Sequence, residues 1–246
     1  MADESAGARA IQHDGWGELV LDRPARRNAI TGPMVAALRA GLASLTEAGS
    51  RVVLLRGEGG AFCSGLDLDA FGADPAPAWR ASFQETWSGW HRDLYLSRAV
   101  IVGALERFAI NGGASMAIAC DLLVAGEGAT ILVGEAAQGM YAPMNTAWLR
   151  LKTTEAIAAQ LTLAARRIPA ADLLRLGLAY EVVADDKVLE RAREVAAMLA
   201  GYPGQGLAAI KEAMRRPLHG PADGIFEQLR TPAVATSAAP RRVERA

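Results

Sequence analysis

Short apolar segments separated by glycine-rich or polar turns recur along most of the chain. Trp16–Leu21 (WGELVL) has the alternation of a strand and ends at a polar turn that contains Pro24. The segments Arg51–Arg56 and Val100–Leu105 are rich in β-branched residues and leucine over a strand's length, which is typical of buried strands. Further short strands are predicted at Asp121–Ala125 and Tyr180–Val183.

Helical patterns lie between these strands. Thr31 has N-cap chemistry, Pro33 falls in the first turn, and Gly49 ends the helix. The apolar residues on one face of this helix are Met34, Leu38, Leu42 and Leu45. Other helices are predicted from the turn Asn111-Gly112-Gly113 to about Cys120, near Thr154–Ala165 and at Ala170–Leu176. Strands that alternate with helices in this way predict an α/β fold.

The two ends of the chain lack this alternation. The first fourteen residues are predicted to be a loose tail, and beyond about residue 185 the pattern is helical only. The last fifteen residues (PAVATSAAPRRVERA) lose periodicity. We therefore predict a core at 1–185 that carries the functional site, and a helical C-terminal part at 186–246 with a loose tail.

Composition and charge exclude several classes of function. The chain has 246 residues, is 51% hydrophobic and carries 26 Lys and Arg against 27 Asp and Glu, so it has a core but no basic surface for nucleic acid or an anionic membrane. No apolar run approaches the roughly 20 residues that span a bilayer. The polar, acidic N-terminus is unlike a signal peptide, so a cytoplasmic location is expected.

Cysteine and histidine are too few for metal or disulfide chemistry. Cys63 and Cys120 cannot complete a zinc site or a disulfide scaffold. His13, His91 and His219 are too scattered for a paired metal ligand. We expect no metal and no bound cofactor.

Three familiar glycine-containing motifs do not fit this sequence. Gly60–Gly65 has P-loop spacing but continues Leu66-Asp67 where Lys and Ser or Thr are required. Phe62 occupies the third glycine position of a dinucleotide fingerprint. The segment around Ser115 approximates a nucleophile elbow, yet no histidine follows at a suitable place.

Two loops, FCSGLD and NGGAS, survive this elimination. Each follows a buried strand and leads into a predicted helix, where backbone N–H groups are unpaired and carry the positive end of the helix dipole. Two such loops that converge make an oxyanion hole. The alternative is that both are simply tight strand-to-helix turns.

The order and spacing of five segments resembles the crotonase, or enoyl-CoA hydratase/isomerase, superfamily. The segments are LDRPARRNAI (21–30), RGEGGAFCSGLDLDA (56–70), INGGASMAIACDLLVA (110–125), GEAAQG (134–139) and RRIPAADLLRLGLAYEVV (166–183). This resemblance implies a spiral of β-β-α turns, a C-terminal helical part that helps trimerise the protein, and often a dimer of trimers. It also implies an acyl-CoA substrate whose thioester oxygen is held by two backbone N–H groups, here those of Leu66 and Gly112.

The hydratases of this superfamily have two active-site carboxylates, and the resemblance places Ser115 and Glu135 at their positions. A serine hydroxyl is a poor base near neutral pH, so hydratase activity is in doubt. Glu135 alone suffices to take a proton from C2 and return it to C4, as in the Δ3,Δ2-enoyl-CoA isomerases. The segment Gly139–Asn145 (GMYAPMN) also looks more like those isomerases than like the hydratases. A hydratase, a related decarboxylase or hydrolase, and a catalytically silent acyl-CoA binder are the alternatives.

Further ligand contacts are expected around the same two loops. Trp87 and Trp90 belong to an aromatic stripe at helical spacing with Trp79 and Phe83, which either walls an acyl pocket or is ordinary core packing. Arg26 is placed to pair with a CoA phosphate, or it lies on a solvated face. Asp67 and Asn28 are expected to hold their loops through backbone hydrogen bonds. The remaining substrate- or CoA-binding candidates are Ser64, Gly65, Leu68, Gly113 and Ser115.

Overall fold

Parallel strand pairing organises the computed structural model, which describes residues 6–216. The strands are β1 (Ala8–Gln12), β2 (Trp16–Leu21), β3 (Val52–Gly57), β4 (Val100–Leu105), β5 (Phe108–Ile110), β6 (Leu122–Gly126), β7 (Thr130–Leu132), β8 (Arg167–Pro169) and β9 (Glu181–Val183). The helices are α1 (Gly32–Glu47), α2 (Leu68–Phe71), α3 (Phe83–Leu96), α4 (Gly112–Ala119), α5 (Pro143–Lys152), α6 (Glu155–Leu163), α7 (Ala170–Arg175), α8 (Val188–Ala200) and α9 (Gly206–Arg215). No helix within the described range is long and apolar enough to cross a membrane.

Two sheets share the strands. The larger sheet has the order β1-β2-β3-β4-β6-β9 and is parallel except for β1, and the smaller has the order β5-β7-β8. From β4 to β7 successive strands alternate between the sheets, so that β4 and β6 enter the larger sheet while β5 and β7 enter the smaller one. Each pair is followed by helix. The α/β prediction is therefore confirmed, with the β-β-α order that the resemblance implied.

The buried strands follow from their sequences. Every residue of β3 and β4 is buried, as expected for apolar strands covered on both faces. Helix α1 begins where predicted, because the Thr31 hydroxyl accepts from the Met34 N–H with Pro33 in the first turn. Its apolar stripe packs into the main core.

Several elements differ from the expectation. The prediction of a loose N-terminal tail was wrong for Ala8–Gln12, which pairs antiparallel with β2 and whose Arg9 forms ion pairs with Asp22 and Glu58. Residues 1–5 lie outside the described range. Strands β5, β7 and β8 were not predicted, since three residues are too short to show a period. Helix α5 was also missed, and the aromatic helix α3 begins at Phe83, so that Trp79 lies before it in a separate 3-10 turn.

Helices α8 and α9 follow β9, and no strand lies between β9 and residue 216, where the described range ends. Helix α8 packs on the large sheet, where Val188, Val195 and Leu199 share a buried cluster with residues of β3 and β4. The tail prediction concerns residues outside the described range.

A buried carboxylate forms ion pairs that connect α8 to the large sheet. The Glu18 carboxylate on β2 lies 2.6 Å from Arg56 Nε on β3 and 2.7 Å from Arg193 Nε on α8, and its side chain has no exposed surface. Burial opposes ionisation of Glu18, but hydrogen bonds and charge from Arg193 and Arg56 outweigh it and lower the pKa of this carboxyl. The carboxylate form thus stabilises the folded state.

We expect Glu18→Gln to lower the free energy of unfolding at neutral pH by about 3 kcal/mol, because Arg56 stays buried without its main counter-charge. The deficit is expected to shrink as the pH falls through the lowered pKa of Glu18. Urea denaturation at several pH values measures both effects. Glu194→Gln, which removes an exposed pair with Arg191, is the control and should cost less than about 1 kcal/mol. Equal losses for the two variants would contradict the assignment.

Candidate active site

Backbone hydrogen bonds connect the loop after β3 to two neighbouring segments. Cys63 donates to the Phe108 carbonyl and accepts from the Ile110 N–H, which fixes it beside β5. On the other side, Ile30 donates to the Gly65 carbonyl and accepts from the Asp67 N–H. The loop is therefore held from both sides next to the strand that leads into α4.

Within residues 63–67 of this loop, one N–H group has no acceptor. Cys63, Ser64 and Asp67 donate to backbone carbonyls, and the Gly65 N–H points at the Cys63 sulfur at 3.4 Å. The Leu66 N–H makes no hydrogen bond with any residue in the described range. Since Ile30 bonds to the residues on both sides of Leu66, the Leu66 N–H faces away from Ile30.

Gly112 supplies a second free donor. It is the first residue of α4, so its N–H has no partner within the helix, and none occurs elsewhere in residues 6–216. On one side, Asn111 donates to the Leu132 carbonyl, and the first N–H bond of the helix is that of Ser115, which donates to the Asn111 carbonyl. The helix dipole adds positive potential at this end.

Two glycines allow the loop and α4 to approach each other. A Cβ on Gly113 would lie 2.7 Å from the Cys63 carbonyl oxygen, which no real side chain tolerates. Gly65 has φ +93°, and a Cβ there would lie 3.1 Å from the Ile110 carbonyl oxygen. These two predicted binding residues therefore act through their lack of a side chain.

Glu135 lies in a single 3-10 turn, Glu135–Gln138, shortly after β7. Its side chain is buried, and Oε1 accepts a hydrogen bond of 3.1 Å from Asn145 Nδ2 on α5. The other oxygen, Oε2, is buried without a hydrogen-bond partner in the described part of the chain. Burial raises the pKa of Glu135, and its own backbone N–H and the Asn145 amide only partly offset this. A carboxylate with one free oxygen and a raised pKa is suited to accept a proton.

Ser115 turns inward. Its side chain has no exposed surface, and its hydroxyl donates to the Gly112 carbonyl at 2.7 Å. His91 Nε2 lies 3.3 Å from Ser115 Oγ, and His91 Nδ1 accepts from Trp148 Nε1 at 2.8 Å. Since Nδ1 is an acceptor, the proton of the neutral ring lies on Nε2 and is donated to Ser115. Burial lowers the pKa of His91 to about 3, so this chain of donors stays neutral at physiological pH.

Arg26 and Asp67 form an ion-pair cluster at the mouth of the site. Asp67 caps α2 by accepting from the Ala70 N–H, and it pairs with Arg23 at 2.9 Å and Arg26 at 3.0 Å. Burial opposes ionisation of Asp67, but the Ala70 N–H and the two arginines lower its pKa overall. Asp67 thus holds its loop, and Arg26 already has carboxylate partners.

Arg26 also lines a surface cleft of about 320 Å³ together with four other residues predicted from the sequence. They are Ser64, Leu66, Asp67 and Leu68. Leu68 is largely exposed and Ser64 is partly exposed. The structure therefore brings together the two loops that the sequence singled out, with an open cleft beside Leu66.

The aromatic stripe divides into two roles. Trp87 lies against the first turn of α4, since a Cβ on Gly112 would lie 3.4 Å from its indole ring, and its ring is edge-on to His91. Trp90 has no exposed surface and belongs to the main core. Trp87 thus borders the candidate site, whereas Trp90 packs behind it.

Sequence reasoning missed four residues of this site. They are Asn111 (read only as part of a turn), His91, Asn145 and Trp148. Asn145 and Trp148 lie three residues apart on α5, a helix that was not predicted, so no local pattern marked them. His91 was set aside because it is isolated in the sequence. No group of three or more His, Cys, Asp or Glu residues that suits a metal ion occurs among residues 6–216.

Comparisons of sequence and of structure with known proteins point to one family. The family model described as enoyl-CoA hydratase/isomerase matches residues 12–231. A Rhodobacter capsulatus protein named "Probable enoyl-CoA hydratase" is 30% identical over 209 residues, covering 85% of this chain and 80% of its own. Carnitinyl-CoA dehydratase of Proteus mirabilis is 30% identical over 202 residues, covering 80% and 76%. A Thermobifida fusca structure in complex with acetoacetyl-CoA has a TM-score of 0.77 at 29% identity, covering 87% and 89%.

The family match extends over most of the chain and the structural match covers 87% of it, so the resemblance to the crotonase superfamily and its fold is confirmed. The chain belongs to the enoyl-CoA hydratase/isomerase family.

Proposed function

We propose that this protein is an acyl-CoA enzyme that converts a 3-enoyl-CoA into the conjugated 2-enoyl-CoA through a thioester enolate. The observation that carries the proposal is a single free carboxylate oxygen, Glu135 Oε2, in a site whose other candidate proton carrier, Ser115, donates its proton to a backbone carbonyl. One carboxylate can serve a proton shift along the substrate. The substrate class agrees with the bound acetoacetyl-CoA of the Thermobifida fusca relative.

The two free N–H groups serve the anionic intermediate. Removal of a proton from C2 places negative charge on the thioester oxygen, and donors aimed at that oxygen stabilise the transition state more than the ground state. Leu66 and Gly112 supply such donors without any reorganisation, because both belong to backbone fixed by neighbouring hydrogen bonds. Each donor is expected to contribute roughly 3 kcal/mol.

Glu135 carries the proton. Oε2 accepts it from C2, and the C2–H electrons form a dienolate whose charge spreads over the thioester oxygen, C2 and C4. Glu135 then returns the proton to C4, leaving the double bond between C2 and C3. The cycle is balanced without water, metal or a redox partner. The substrate is the CoA thioester itself, and no further cofactor is proposed.

Hydration or dehydration is the second candidate, and the names of the hydratase and dehydratase relatives favour it. Addition of water requires one group to activate the water and another to deliver a proton. The buried, inward hydroxyl of Ser115 offers neither.

A homotrimer or dimer of trimers in the cytoplasm remains our expectation for the assembly and its location.

The first experiment compares two substrates. We expect a 3-enoyl-CoA to gain the ultraviolet absorbance of a conjugated thioester, and crotonyl-CoA to keep it. Glu135→Gln should lower the isomerisation rate by about 10²- to 10⁴-fold, because the amide cannot accept the proton. Glu106→Gln is the matched control, since Glu106 is also a carboxyl whose pKa burial raises, but it lies outside the site. Rapid loss of crotonyl-CoA conjugation would instead identify a hydratase.

The pH dependence follows from the burial of Glu135. A general base must be ionised, so kcat/KM should fall as the pH drops through the pKa of Glu135, with a midpoint above the ordinary value of 4.5. His91 should add no limb near neutral pH because its pKa is near 3. The measurement is kcat/KM against pH at constant ionic strength. If the midpoint of this fall in kcat/KM lies at or below pH 4.5, Glu135 is not the base.

Ser115→Ala separates structure from chemistry. The variant leaves the Gly112 carbonyl and the His91 Nε2–H unpaired, so we expect a loss of about 1–3 kcal/mol in the free energy of unfolding. The acid limb of the pH profile should stay in place, since Glu135 is untouched. Abolished turnover in a variant of unchanged stability would show that Ser115 is a catalytic residue.

A further inference from the structure

The Asn145 amide has an orientation fixed by its partners. Nδ2 lies 3.1 Å from Glu135 Oε1 and 3.0 Å from the Asn111 carbonyl oxygen. A carbonyl only accepts hydrogen bonds, and so does an ionised carboxylate, so the atom that faces both must be the amide nitrogen. Each of its two protons therefore has one acceptor.

The Asn111 carbonyl belongs to the peptide unit that carries the Gly112 N–H. In a trans peptide the C=O and the N–H point in opposite directions within one plane, so a donor that fixes the oxygen also fixes the direction of the N–H. The Ser115 N–H holds this oxygen at 3.1 Å from within α4, and Asn145 is a second donor from α5. These two donors to the Asn111 carbonyl therefore fix the direction in which the free Gly112 N–H points.

A second hydrogen bond connects Asn111 to the segment that contains Glu135. The Asn111 side-chain oxygen accepts from the Gly134 N–H at 2.8 Å, which fixes the backbone just before Glu135. Asn111 has φ +51°, an unusual conformation for a residue other than glycine, and these contacts hold it there. The hydrogen bond to Gly134 fixes the position of the backbone at Glu135, and the hydrogen bond from Asn145 fixes the orientation of the Glu135 carboxylate.

We propose that Asn145 is a positioning residue that orients the Glu135 carboxylate and the Asn111–Gly112 peptide together through one NH₂ group. This inference rests on the proposed function, since it concerns the base and the oxyanion donor of the same proton transfer. By engaging Oε1, Asn145 leaves Oε2 as the oxygen that faces the substrate. One planar group thereby fixes the relative geometry of the proton acceptor and of one oxyanion donor.

Asn145→Ala and the isosteric Asn145→Asp test this role. For Asn145→Ala we expect kcat to fall about 10- to 100-fold with KM within about threefold of the wild type, since misplacement affects the transition state most. The acid limb of the pH profile should move to higher pH, because the Asn145 hydrogen bond lowers the pKa of Glu135 and no charged side chain replaces it. Asn145→Asp should move the limb further, because a second carboxylate then faces Glu135. Thr146→Ala, one residue along α5, is the control and should change neither.

A probe that does not turn over separates this inference from the proposed reaction. Acetoacetyl-CoA has an acidic C2 proton, and its bound enolate is detected by ultraviolet absorbance. We expect the wild type to form the enolate and both Asn145 variants to form less of it at equal occupancy. If the wild type forms the enolate but does not isomerise a 3-enoyl-CoA, the proposed reaction fails while the role of Asn145 stands.

The inference is overturned if folded Asn145→Ala or Asn145→Asp keeps kcat within twofold, the same acid limb and the same enolate yield. Circular dichroism establishes folding for each variant. If Asn145→Ala does not fold, Asn145→Asp decides the question alone, since aspartate keeps the shape of asparagine while replacing the NH₂ donor by a carboxylate oxygen.

Discussion

The close backbone approach between the loop after β3 and the start of α4 is the constraint on which the site depends. Cys63 pairs with β5, and Gly113 lies so near the Cys63 carbonyl that any Cβ would collide with it. This approach places the loop that carries the free Leu66 N–H against the start of α4, which carries the free Gly112 N–H. The β-β-α spiral makes it possible, because β3 and β4 lie side by side in the large sheet while the segments that follow them pair in the second layer. A functional feature made of backbone is therefore a property of the whole fold.

Several polar groups around this approach are paired within the protein. The His91 proton, the Ser115 hydroxyl and the Trp148 N–H all have internal acceptors, and His91 stays neutral because burial disfavours its charged form. Glu135 Oε2 and Asn145 Oδ1 differ, because both are buried acceptors without a partner in the described part of the chain. Buried acceptors without partners cost free energy, so two of them on a hydrogen-bonded pair of side chains are typical of a functional site. The same burial that costs stability raises the pKa of Glu135 toward a useful range.

Much of the fold was predictable because it depends on local patterns. The apolar strands β3 and β4, the Thr31 cap and the glycine loops all have signals within a few residues, and each is where the pattern placed it. Strands β5, β7 and β8 were not predictable in this way, since three residues show no period and are defined by their partners. The site shows the same division. Leu66, Gly112 and Glu135 follow from motif order, whereas His91, Asn145 and Trp148 contribute only after distant segments have met.

Membership in the family narrows the substrate class to acyl-CoA thioesters, but the reaction depends on the few side chains of the site. In this chain position 115 carries a hydroxyl that points into the protein and donates to the Gly112 carbonyl. Position 145 carries an amide that donates to both Glu135 and the Asn111 carbonyl. The two residues act on adjacent carbonyls, those of Gly112 and Asn111, and so hold the two peptide planes that meet at Gly112. Neutral groups, a hydroxyl and an amide, therefore fix the backbone around Gly112, and the amide also contacts the buried Glu135 carboxylate.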